Sequence, residues 1–395
     1  MKKTLAMLLA LAMSLSLLTG CGSKKDDAPA ADNSDAAAGE TTGEAKPGEG
    51  MKIALVCDKV GTQVFLTQMV EALNEAADKY GFEATVAECA DSAAFEDNIR
   101  ALVAEEYDLI IGGGWQSGDA VNKVATEYPD AARYALIDSE VEAENVKCIS
   151  YREQEGAYLI GALAALTTDG ESHKYGAVHV NEGPGSWKWR YGYMEGVKSI
   201  DPDAEFVFNY TGSYSDPAKA KELAIQQDEQ GWAFLNSAAA GGDSGTFEAA
   251  KEKGFYTSGQ DVDLTDPENP YIVSSQIKDT YQSVWNLIDE FFSGNYTDEN
   301  SVWGVAEGTI GAVYVTHDSP NPRSERLSDD DIAQLKQIAE DIRTGALDLI
   351  GRLVSKDHSG RGRVLRKLSL IQGSLLGGSV RALRVPRLIR SRRED

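Results

Sequence analysis

Three short runs decide the fold: KIALVC at Lys52–Cys57, YDLII at Tyr107–Ile111 running into Gly112, Gly113 and Gly114, and RYALID at Arg133–Asp138. Each is almost continuously apolar rather than alternating, the pattern of a strand buried on both faces. Further strands fit Phe82–Cys89 and Val146–Tyr151, and segments of helical spacing lie between them: Phe65–Tyr80, a stretch through Leu102, and about Gln116–Tyr128. Parallel strands need a long crossover, usually a helix, whereas antiparallel ones are joined by tight turns. The rhythm therefore predicts a parallel sheet covered by helices on both faces.

The pattern restarts after Tyr151. Helices are expected at Glu155–Leu166, Trp187–Lys198, Asp216–Asp228 and Thr246–Lys253, with strands at Tyr175–Val180 (YGAVHV), Glu205–Tyr210, Trp232–Asn236 and Phe255–Ser258. Two successive doubly wound units of similar size predict two α/β lobes, and 395 residues suffice for both. A helix at Lys278–Phe292 and strand-like Thr309–Val315 are placed to cross back between them. The expected division is 51–150 with 275–300 for the first lobe and 151–274 with 301–318 for the second. A C-terminal helical segment, 319–349, follows. Such sheets bind ligands beyond the carboxyl ends of their strands, so two lobes would present those ends to each other across a hinged cleft.

The two ends of the chain differ from its body. Lys2 and Lys3 precede an apolar run, Leu5–Leu18, too short to span a bilayer as a mature helix, and Leu18-Thr19-Gly20-Cys21 follows. This sequence resembles the bacterial lipobox, which implies that 1–20 is a signal peptide and that Cys21 carries the lipid anchoring the protein to a membrane. Residues 21–50 are small and acidic and read as a flexible tether. Residues 350–395 hold twelve Lys/Arg against three Asp/Glu, while the preceding 349 hold 26 against 60. So abrupt a reversal reads as a frameshift or read-through, with a lipid-binding basic tail or an intramolecular strap as alternatives.

Composition removes several function classes. A net charge of −25 argues against nucleic acid as a partner of the body. Gly242-Asp243-Ser244-Gly245 has the look of a serine-nucleophile segment but no matching histidine context, and it reads better as a helix start capped by Asp or Ser. Asp261, Asp263 and Asp266 lack the glycine and glutamate that complete a calcium loop, and the glycines 112–114 complete no phosphate-binding motif. No cofactor, metal or catalytic residue is expected. Cys57, Cys89 and Cys148 lie in or beside strands and read as buried thiols.

What remains is a set of polar and aromatic residues at strand ends. Asp58 follows the first strand and Phe65 opens the first helix; Trp115 and Asp119 follow the third strand; Tyr214 follows a second-lobe strand. Asp261 follows Ser258 and Gly259, and Lys278 begins the crossing helix. Aromatic faces with carboxylates suit a flat ligand bearing hydroxyl groups, since rings stack and a carboxylate accepts two hydroxyl hydrogens.

Several segments together resemble the basic membrane protein family of bacterial lipoproteins: YDLIIGGGW, NVKCISYREQEGAYLIGALAAL, RYGYMEGVKSIDPDAEF, YTGSYSDPAKAKELA and SAAAGGDSGTFEAAKEKG. The likeness covers roughly Met51–Val315. It implies a type I periplasmic-binding-protein fold without enzymatic activity. By analogy with the purine nucleoside receptors of that family, it implies capture of a nucleoside for an ABC transporter permease. A sugar or other small solute on the same fold, or a sensory lipoprotein, are the alternatives. The resemblance makes Phe65 and Tyr214 the aromatics that sandwich the base, and Asp119, Asp261 and Lys278 the polar contacts. Where family members commonly show Asp-x-Ser-Phe-Asn, this chain has Thr62-Gln63-Val64-Phe65-Leu66-Thr67, with Asp58 or Gln68 as substitutes.

Overall fold

Continuous apolar runs become the central strands of two six-stranded sheets. A computed structural model describes residues 45–168, 172–183 and 185–349; the expectations for 1–44 and 350–395 lie outside the described residues. The first sheet contains β1 (Lys52–Asp58), β2 (Glu83–Cys89), β3 (Leu109–Gly113), β4 (Arg133–Ile137), β5 (Val146–Tyr151) and β11 (Ser301–Trp303). Their order is β11-β5-β4-β3-β1-β2, and every pair is parallel. Helices α1 (Val64–Tyr80), α2 (Ser92–Ala104), α3 (Gly118–Glu127) and α8 (Thr280–Ser293) accompany it.

The second sheet contains β6 (Lys174–His179), β7 (Glu205–Tyr210), β8 (Phe234–Ala238), β9 (Tyr256–Asp261), β10 (Ile272–Lys278) and β12 (Ile310–Ala312), ordered β12-β10-β9-β8-β6-β7. Only the edge strand β12 runs antiparallel. Its helices are α4 (Glu153–Thr167), α5 (Ser186–Ile200), α6 (Pro217–Glu229) and α7 (Asp243–Lys253). The last helix, α9 (Asp329–Arg343), starts at a capping box between Ser328 and Asp331 and places buried Ile332, Leu335 and Ile342 in the core it shares with α4. Among the described residues, no helix is long and apolar enough to cross a membrane.

Two boundaries differ from those expected. β11 was assigned to the second lobe, but Ser301, Val302 and Trp303 pair with Ile149, Ser150 and Tyr151, so it extends the first sheet. Asn300 fixes that register by accepting the Cys148 amide at 3.0 Å. β10 stays with the second sheet through Ile277, opposite Asp261, so the crossover falls at Asp279 rather than after residue 274. Lys278 therefore ends a strand instead of starting a helix.

Helix α4 is apolar around nearly its whole circumference and buried along almost all its length. It meets α5 backbone to backbone. A β-carbon on Gly196 would lie 2.0 Å from the Tyr158 carbonyl oxygen, and one on Gly192 would lie 2.3 Å from that of Gln154. This close approach fixes the start of α5 beside the interlobe crossovers.

Candidate ligand-binding cleft

The carboxyl ends of the parallel strands converge on one cavity of about 650 Å³. From the first lobe come Asp58 at the end of β1, Gly114 and Trp115 after β3, Asp138 after β4, and Tyr151 and Arg152 at the end of β5. From the second come His179, Ala238, Asp261 and Lys278, at the ends of β6, β8, β9 and β10, and Tyr214 in the loop after β7. Asp138 and Asp261 both adopt φ of +69°, a left-handed conformation that Asp tolerates better than most side chains. At each the chain turns abruptly out of its strand, leaving the carboxyl at the cleft.

A buried charge network forms the cleft floor. The Lys278 ammonium, on a residue only 4% exposed, lies 2.5 Å from Asp138 Oδ1 and 3.2 Å from Glu153 Oε1. Lys188 approaches from α5, donating to Glu153 Oε2 at 2.8 Å and to the Tyr151 carbonyl at 2.6 Å. Burial disfavours the Glu153 carboxylate, but Lys188 and Lys278 outweigh it and hold the group at about 2. Burial likewise opposes charge on Lys278, yet Asp138, Glu153 and Asp261 keep it protonated, above the ordinary lysine value.

Asp261 is differently placed. Its carboxyl is buried, and its side-chain partner is Gln260 at a long 3.4 Å. Burial pushes it up to about 7, with Lys278 opposing and the carboxylates of Asp138 and Glu153 reinforcing the shift. Asp243, on the first turn of α7, is pushed up to about 7 by burial against the opposing hydrogen bonds of Ser237 Oγ and the Ala239 amide. It ties the end of β8 to α7 rather than capping the helix as expected. Ser244 is exposed, and its Oγ approaches the Gly241 carbonyl. His179 is pushed down to about 4 by burial and hydrogen-bonds Asn236 at 2.9 Å.

Of the residues singled out from sequence, Asp58, Phe65, Trp115, Tyr214, Asp261 and Lys278 line this cavity. Asp119 does not: it sits on the exposed side of the first turn of α3, whose inward face is taken by Ala120 and Val121. Gln68 turns to the Lys278 carbonyl at 3.4 Å, whereas Gln63 reaches the cavity. Trp115 Nε1 donates to the Tyr214 hydroxyl at 3.1 Å, joining the lobes across the cleft. The Lys278 ammonium lies 5.2 Å from the centre of the Phe65 ring and 4.9 Å from that of Tyr151. Sequence reasoning missed Asp138, which obeys the strand-end rule used for Asp58. It also missed Glu153 and Lys188, whose roles depend on helix packing. Among the described residues, Cys57, Cys89 and Cys148 are buried free thiols, and no cluster of acidic, His or Cys side chains could hold a metal ion.

Two parallel α/β lobes facing each other over a solute-sized cleft define a bilobal solute-binding protein. The chain belongs to the family of PnrA-like ABC transporter substrate-binding proteins, which its residues 52–348 match. It is 26% identical over 263 residues to the CD4+ T-cell-stimulating antigen of Listeria innocua, covering 63% of this chain and 68% of that one. An uncharacterized lipoprotein of Pyrococcus abyssi is 30% identical over 221 residues, 53% and 54% of the two chains. A solved solute-binding protein of an ABC transporter system from Aeropyrum pernix superposes with a TM-score of 0.67 at 24% identity, covering 75% of this chain and 92% of that one. That neighbour shares the type I periplasmic-binding fold.

The network predicts a pH signature. A carboxyl whose folded pKa exceeds its unfolded value of about 3.9 adds stability that is present below that value and lost as pH rises through the folded pKa. Asp261 and Asp243 act in this sense between about 4 and 7. Glu153 acts oppositely, its contribution fading as pH falls toward 2. The melting temperature of the ligand-free protein should therefore decline more steeply from pH 5 to pH 8 than that of Asp261→Asn. Parallel melting curves for the two proteins would contradict the assignment.

Proposed function

We propose that this protein is the lipid-anchored, extracytoplasmic receptor of an ABC importer, and that it captures a purine nucleoside between its lobes for delivery to the permease. The observation that carries the reading is the Asp261 carboxyl, buried in the cleft with one long side-chain hydrogen bond, beside a lysine that itself faces an aromatic ring. A carboxylate in that position accepts two vicinal hydroxyl hydrogens, the pair that a ribose presents. Phe65 at the start of α1 and Tyr214 beyond β7 supply flat faces for a base. A cleft of about 650 Å³ lies within the usual range for small-molecule sites.

Base stacking on an aromatic side chain contributes about 1–3 kcal/mol. Phe65→Ala should thus weaken nucleoside binding on the order of 10–100-fold. Titration calorimetry with inosine, guanosine, adenosine and ribose measures this directly. Ribose binding as tightly as the nucleosides would overturn the reading.

Anchoring rests on Cys21 and its lipobox-like context, and the lipoprotein name of the Pyrococcus relative supports it. Cys21→Ala should move the protein from the membrane fraction to the soluble fraction without changing its melting temperature. Full retention at the membrane would show that something other than lipid holds it.

A further inference from the structure

The cleft is longer than a nucleoside. Its first-lobe wall runs from Asp58 at the end of β1 to Val302 on β11, across the ends of β3, β4 and β5. Four inter-strand spacings separate those ends, about 19 Å. From covalent bond lengths, a purine joined to one pentose spans about 10 Å.

The order of side chains along the cleft says where the excess length lies. Lys278 stands between the Phe65 ring and the Tyr151 ring, bonded to Asp138 and close to Asp261. On the reading above, the base occupies the Phe65 end and the sugar lies over Lys278 and Asp261. The lining past Tyr151 includes Ser150 and Val302 from the first lobe, and Trp187 and Trp189 flank Lys188, which donates to the Tyr151 carbonyl at 2.6 Å. Both tryptophans line the cavity and are only partly buried. Neither indole N–H has a hydrogen-bond partner among the described residues. Both stand on the first turn of α5, the helix that packs closely on α4 at Gly192 and Gly196.

Charge limits what enters. The cavity lining holds the carboxylates of Asp58, Asp138, Glu140, Glu153, Glu182 and Asp261 against four cations. Three of those cations are paired with carboxylates, Lys188 and Lys278 with Glu153 and Arg152 with Glu155 and Glu307, while Arg190 contacts Ser186 Oγ and the Tyr210 ring. A phosphate here would meet acid excess, with three of the four cations already paired to carboxylates.

We propose that this end of the cleft is a second subsite, and that the ligand is a nucleoside whose sugar carries an uncharged flat or apolar substituent at its 5′ position. The inference rests on the nucleoside reading and extends it.

The test is calorimetry on the full chain with adenosine, 5′-deoxy-5′-(phenylthio)adenosine and adenosine 5′-monophosphate. The phenylthio compound should bind on the order of tenfold more tightly than adenosine, and the monophosphate more weakly than adenosine. In Trp187→Ala and in Trp189→Ala, the ratio of phenylthio-compound to adenosine affinity should fall toward one. Equal affinities for the phenylthio compound and adenosine in the wild-type protein would overturn the second subsite while leaving the nucleoside reading standing. Tight monophosphate binding would overturn the requirement for an uncharged group. Failure of all three to bind would overturn the nucleoside reading and this inference with it.

Discussion

An ammonium group taken out of water must find negative partners, and here that requirement joins the two lobes. Lys278 comes from β10 of the second sheet, Asp138 from the end of β4 in the first, and Glu153 from the first turn of α4 where the chain passes between them. The Lys278–Asp138 pair spans the lobes, while Glu153 holds Lys278 and Lys188 on the second-lobe side. Removing one member of such a buried set leaves an uncompensated charge, a loss of about 3–5 kcal/mol in comparable cases. The network is therefore poised: stable as assembled, intolerant of any missing member, and one hydrogen-bond length from whatever enters the cleft.

The covalent crossovers are drawn to the same place. Arg152, the residue before Glu153, donates to Glu155 and Glu307 and to the Val302 carbonyl at 2.7 Å, tying the first crossover to the third. Gly304 permits that contact, because a β-carbon there would lie 2.2 Å from Glu155 Oε2. The second crossover is fastened by the Asp279 amide, which donates to the Thr309 carbonyl at 2.8 Å. On the far side of the cleft the described residues are linked by one side-chain hydrogen bond, Trp115 to Tyr214, and by the close approach of Thr62 to Gly241. A tightly stitched side opposite a weakly fastened one is the arrangement of a hinge, and a ligand bound by both lobes would bias it toward closure.

How much of this was legible in the sequence follows from the range of the interactions involved. KIALVC, YDLII and RYALID announce buried parallel strands because their apolar character is local, and the strand-end rule then finds Asp58, Phe65, Trp115, Tyr214 and Asp261 at the cleft. Lys278 reached the cavity by the same rule, although it was assigned to the start of the crossing helix rather than to the last position of β10. Asp119 shows the opposite failure, since helical phase decides whether a residue after a strand faces the cleft, and α3 turns it outward. The position of β11 could not be read at all. Three residues have no periodicity, and only the pairing of Ser301–Trp303 with β5 shows which sheet owns them. Glu153 and Lys188 were hidden for a related reason: each acquires its role only once the glycines of α5 bring two helices into backbone contact.

The proposed ligand combines a flat base with a hydroxyl-bearing sugar. That combination is tested most directly by mass spectrometry of the ligand retained when the full chain is purified from its native host and then denatured. The account predicts a released compound whose fragments include a purine base and a pentose, with no phosphate. A free sugar, an amino acid or a nucleotide as the stoichiometric ligand would contradict it.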